Sequence, residues 1–86
     1  MKPKTTILTV KFFANLRRPA GVAEAKVEMP SGLTIKEFKV ELIKTFPKLE
    51  NNMSVAMASI NHTYAEEKVV IPDGAVIALF PPVSGG

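Results

Sequence analysis

An α+β fold, in which a mixed sheet of four or five strands packs on one main helix, is what this 86-residue sequence predicts. Three observations carry the prediction. Thr5–Phe12 and Ala23–Met29 each alternate apolar and polar residues, the period of half-buried strands. Ile35, Phe38, Leu42 and Phe46 recur at helical spacing and form one apolar stripe. Further strand-like runs follow that stripe, and no second helical period does.

The elements follow in order. In the first strand Leu8, Val10 and Phe12 share one face, while Thr9 and Lys11 share the other. Ala14–Gly21 contains Pro19 and Gly21 and reads as a loop or turn. In the second strand Ala23, Ala25, Val27 and Met29 point one way and Glu24, Lys26 and Glu28 the other, and the short connection favours a hairpin. Pro30-Ser31-Gly32 breaks the pattern. Thr34 and Glu37 then make a capping box, with Leu33 and Phe38 at the staple positions. Ile43 lies beside the stripe, whereas Lys36, Lys39, Glu41 and Lys44 fall largely off it, and Pro47 ends the helix.

Val55–Ile60 is the third strand, Asn61-His62 a turn, and Thr63–Ala65 a short return. Pro72-Asp73-Gly74 is a strong turn signal. Ala75–Phe80 is nearly all apolar, so it belongs in the sheet interior. The helix must bury its stripe against the sheet's apolar face. Two strands, a helix and two or three further strands describe a β-grasp, the ubiquitin-like architecture. The expected organisation is a β-grasp domain over 1–80 and an extended, flexible tail over 81–86.

Composition narrows the function. The chain supports a single core, because one this short buries only about 60–65% of its unfolded surface. It has no Cys, which excludes disulfides, thiolate metal sites and a catalytic thiol. The net charge is +3, from scattered basic residues not interleaved with aromatics, so no nucleic-acid reader is expected. The apolar runs are too short to span a bilayer and the first six residues lack a signal-peptide core, so the expected compartment is the cytoplasm.

Side-chain chemistry offers little. His62 stands alone, so it builds no metal site. Glu66 and Glu67 are adjacent and would point to opposite faces of an extended chain. Ser84 has no evident base and orienting group, and no phosphate loop is present. An autonomous enzyme is therefore not expected.

The C-terminus is different. An apolar strand runs into Pro81-Pro82, then Val83-Ser84, then Gly85-Gly86. The prolines fix φ and favour an extended course. Six extended residues reach about 20 Å, enough for a thin arm to enter another protein's active site. A glycine carboxylate can be adenylated by ATP, and a sulfur donor can displace AMP to leave a thiocarboxylate. No side chain obstructs either attack.

The run Ile77–Gly86, ending Pro-Pro-Val-Ser-Gly-Gly, resembles the C-terminal signature of the MoaD family, the small subunit of molybdopterin synthase. Val10–Arg17, Ala58–Asn61 and Pro72–Gly74 resemble that family's first strand and loop, its central strand ending in Asn, and its Asp-Gly turn. The resemblance covers nearly the whole chain. It implies a sulfur carrier in molybdenum cofactor biosynthesis, whose Gly86 is adenylated by a MoeB-like enzyme using ATP and converted to a thiocarboxylate. Pro81, Pro82, Val83, Ser84 and Gly85 would insert into a MoaE-like large subunit, the two subunits pairing as a heterotetramer. Sulfur would pass to cyclic pyranopterin monophosphate, with the catalytic side chains on the large subunit. No permanently bound cofactor and no metal is expected. Phe13 and Phe80 are the expected partner-binding residues, since Phe13 has outward parity and Phe80 adjoins the tail. The alternatives are a thiamine-pathway carrier of the ThiS kind, a ubiquitin-like modifier joined through Gly86 to lysines, and a binding module with an inert tail.

Overall fold

A computed structural model describes residues 4–82 of the chain. It contains five strands, β1 Thr5–Phe12, β2 Glu24–Pro30, β3 Met57–Ile60, β4 Thr63–Ala65 and β5 Val76–Phe80. The helices are α1 Arg17–Ala20, α2 Ile35–Thr45 and α3 Glu50–Met53. The sheet order is β2-β1-β5-β3-β4. β1 and β2 form an antiparallel hairpin, β5 returns parallel to β1, and β3 closes antiparallel on the other side of β5. This is the β-grasp plan, with α2 crossing one face of the sheet.

The core lies between α2 and that face. Leu8, Val10 and Phe12 meet Val27 and Met29 of the hairpin, Ala58 and Ile60 of β3, and Ile77 and Leu79 of β5. From the helix come Ile35, Phe38 and Leu42, all fully buried. Each such side chain contributes about 1.5–3 kcal/mol of transfer free energy. Phe46 ends the helix half-buried, edge-on to Phe12 with ring centroids 5.4 Å apart. The capping box forms as expected: the Glu37 N–H donates to the Thr34 hydroxyl, and the Thr34 N–H donates to the Glu37 carboxylate. The bond from the Thr34 N–H, with a second from the Thr34 hydroxyl to the same carboxylate, holds the Glu37 carboxyl below its usual range.

The connector ahead of β5 runs across the start of α2. Its carbonyls at Val69 and Glu67 accept from the Ile35 and Lys36 N–H groups, which a helix cannot satisfy itself. Val70 makes only an isolated bridge with Thr34, so Val69–Ile71 is a strap and not a strand. The Pro72-Asp73-Gly74 turn is tied to β1, since the buried Thr6 hydroxyl accepts from the Gly74 N–H. Lys4, 3.1 Å away, holds the Asp73 carboxyl below its ordinary range.

Several expectations need correction. The segment read as a loop before β2 contains a 3₁₀ turn at Ala14–Leu16 and then α1, which Gly21 terminates at φ +79°. A second 3₁₀ turn, Pro47–Leu49, leads into α3. These short turns bury Leu16, Ala20, Leu49 and Met53, closing the ends of a core that one helix could not cover. Ala23 and Val55 lie outside the strands and are exposed. Lys39 is the largest departure: it is only 7% exposed, and its ammonium donates to the Ala56 carbonyl.

Candidate docking face and tail root

β5 sets the geometry of the site. Thr9, Val10, Lys11 and Phe12 pair with Val76, Ile77, Ala78 and Leu79 on one side, and Met57–Ile60 pair with Phe80–Ile77 on the other. Alternation sends Ile77 and Leu79 into the core and leaves Val76, Ala78 and Phe80 half-buried on the face away from α2. Pro81 follows Phe80 directly, half-buried, and Pro82 is exposed. The tail therefore leaves from the centre of the sheet, where both neighbouring strands hold its root.

The open face carries an apolar row at that root. The Phe13 N–H donates to the Leu79 carbonyl, so the register carries Phe13 alongside Phe80. On the other flank Phe80 pairs with Met57. Phe13 is 40% exposed, which agrees with the outward parity read from sequence. Thus Phe13 and Phe80, expected as partner-binding residues, fall in one row beside the tail. Met57 completes the row; sequence reasoning missed it because its place depends on register between distant strands. The next row holds Lys11, Ala78, Ser59 and Tyr64, in register across four strands.

Local backbone strain shapes the corner. Ala14 adopts φ +54°, a left-handed conformation that costs a residue with a Cβ about 1–2 kcal/mol. This kink ends β1, sends Leu16 into the core and brings Arg17 back over the strand end. The Arg17 Nε donates to the Phe12 carbonyl at 3.0 Å, and its guanidinium lies 5.9 Å from the Phe13 ring centroid. Arg17 thereby buttresses the Phe13 side of the row.

A second anchor lies at the far end of β5. Asn61 and His62 have φ of +48° and +74°, as a two-residue hairpin loop requires. The Asn61 N–H donates to the Val76 carbonyl, and its side-chain oxygen accepts from the Val76 N–H. Asn61 thus extends the β3–β5 ladder by one pair. His62, exposed in the loop, is joined by no set of ligands: among the described residues no group of three His, Cys, Asp or Glu could hold a metal. Glu66 and Glu67 are both exposed, and Glu67 lies 3.9 Å from the Lys39 ammonium. Burial pushes Lys39 below the ordinary lysine range, and Glu67 only partly offsets it. Lys39 and Glu67 also line a depression of about 200 Å³ that reaches Tyr64.

Val83, Ser84, Gly85 and Gly86, assigned from sequence to tail insertion and sulfur transfer, lie outside the described residues. No helix among the described residues is long and apolar enough to cross a membrane.

The molybdopterin synthase sulfur carrier subunit of Arabidopsis thaliana is 33% identical over 79 residues, covering 92% of this chain and 82% of that protein. SAMP1 from Haloferax volcanii superposes with a TM-score of 0.79 at 27% identity, covering 93% of this chain and 99% of that one. A putative molybdopterin converting factor subunit 1 from Pyrococcus furiosus gives a TM-score of 0.79 at 28% identity, covering 91% and 99%. The sequence matches the ThiS family over residues 10–86, and the chain belongs to that family.

Proposed function

We propose that this chain is the sulfur carrier of a molybdopterin synthase. The observation that carries the reading is the tail root: β5 is paired on both sides up to Phe80, and Pro81 follows at once beside the Phe13–Phe80–Met57 row. Its support is the family match, which runs through Gly86, and relatives named molybdopterin synthase sulfur carrier subunit.

The Gly86 carboxylate attacks the α-phosphate of ATP on a MoeB-like enzyme, and pyrophosphate leaves. A sulfur donor then attacks the acyl carbon, AMP departs, and a thiocarboxylate remains. The open face docks on a MoaE-like large subunit, within a heterotetramer, and the arm carries the sulfur to cyclic pyranopterin monophosphate. Water returns the acyl group as a carboxylate for recharging. ATP is the adenylating partner's substrate, the chain itself keeps no cofactor, and these steps belong in the cytoplasm. Catalytic side chains come from the large subunit, so this chain is a co-substrate.

The likeness to SAMP1 of Haloferax volcanii, a second solved structure of which bears the name small archaeal modifier protein 1, favours a second reading as a ubiquitin-like modifier. One experiment separates them. The chain is expressed in cells lacking their own carrier subunit. Molybdopterin formation is measured, and tryptic peptides are searched for lysines carrying the Val69–Gly86 remnant, since Lys68 is the last Lys or Arg before Gly86. Restored molybdopterin supports the carrier. Remnants dependent on Gly86, without restored molybdopterin, replace it with the modifier.

A further inference from the structure

The outer edge of β2 carries a self-complementary pattern. Among the described residues β2 pairs with β1 alone and ends the sheet. Hydrogen bonds from the Phe12 N–H to the Ala23 carbonyl and from the Ser31 N–H to the Lys4 carbonyl fix the phase of the hairpin. The alternation of an antiparallel pair then turns the backbone groups of Ala25, Val27 and Met29 toward β1. Those of Glu24, Lys26 and Glu28 turn outward, and Pro30 offers only its carbonyl there. The side chains of Glu24, Lys26 and Glu28 are exposed, on the open face.

We propose that β2 is a dimerisation strand: two copies of this chain join their β2 edges antiparallel, about a two-fold axis beside Val27. In that register Lys26 stands opposite Glu28 of the partner subunit, and Glu28 opposite Lys26 of the partner subunit. Each of these two pairs exchanges both backbone bonds, and at each end the Glu24 N–H meets a Pro30 carbonyl. About six inter-subunit bonds result.

Neighbouring registers are poorer. Centring on Lys26 sets Lys26 against itself and Glu24 against Glu28. Centring on Ala25 pairs Lys26 with Glu24 but leaves Glu28 opposite Val22, which lies outside the strand. A lysine on an edge strand ordinarily repels a second strand. Here a glutamate two residues away on the same face converts that repulsion into a pair of cross-strand attractions. β2 stands two strands from β5, so both tail roots stay clear in the dimer.

Sedimentation velocity on the whole chain, over a roughly hundredfold range of concentration, tests the proposal. Dimer is expected at the upper end, with weaker association at high salt. Lys26→Glu is expected to weaken it by about tenfold or more, because two attractions become two repulsions. Adding Glu28→Lys to Lys26→Glu restores it. Circular dichroism checks that each variant keeps its fold. A monomer at every concentration, a dimer indifferent to Lys26→Glu, or rescue by Glu24→Lys in place of Glu28→Lys would overturn the proposal.

Discussion

Deleting Gly86 is expected to abolish molybdopterin formation in a system reconstituted from the chain, its adenylating enzyme, a sulfur source, the large subunit and the pterin precursor. The deletion still leaves a glycine carboxylate, on Gly85. It shortens the arm by one residue, about 3.5 Å. The arm is rooted at Phe80 in a strand paired on both sides, so the body cannot follow the shortened end inward without losing its docking contacts. A misplacement of about 1 Å at a reacting centre can cost a hundredfold in rate, and the deletion exceeds that. Thermal stability should not change, because the core formed by the described residues lies between Leu8 and Leu79. Gly86→Ala keeps both length and carboxylate and adds one methyl group, so it should retain part of the activity. Wild-type activity in the deletion variant would show that Gly86 is not the reacting end.

Phe80→Asp is expected to weaken binding to the large subunit by about a hundredfold or more. Phe80 is the middle of the Phe13–Phe80–Met57 row and the last residue before the tail. Aromatic residues at the centre of an interface commonly contribute 2 kcal/mol or more, and the substitution also leaves a desolvated carboxylate without a partner. The face it occupies points away from the helix, so the fold should survive. Val40→Asp supplies the control: Val40 is 53% exposed on α2, which covers the opposite face of the sheet. Calorimetric titration with the large subunit should show loss for Phe80→Asp and near-wild-type affinity for Val40→Asp. The reverse pattern would move the docking surface to the helix side.

Much of this architecture was legible because single residues obey a local period. β1 has the predicted bounds, and α2 starts where Thr34 and Glu37 place its capping box. β5 is apolar throughout because it occupies the middle of the sheet. α1 and α3 each have four residues, too few to display a helical period, and they form because Leu16, Ala20 and Met53 find the core. Lys39 carried a usable signal: Ile35, Phe38, Lys39 and Leu42 stand at i, i+3, i+4 and i+7, yet its charge argued for solvent. Its long stem is buried instead, and the charged end finds the Ala56 carbonyl.

The site divides in the same way. Phe13 and Phe80 follow from strand parity and from position beside the tail. Met57 does not, because pairing it with Phe80 requires the β3–β5 register, a contact across more than twenty residues of chain. Arg17 carries no sequence signal for its place beside Phe13; its support of Phe13 depends on the kink at Ala14.

The intact mass of the protein, purified from cells with and without its adenylating partner, tests the central claim most directly. A carrier gains the mass difference between sulfur and oxygen when the partner is present, and loses that gain when Gly86 is deleted. An unchanged mass beside a competent, ATP-supplied partner would contradict the sulfur-carrier account.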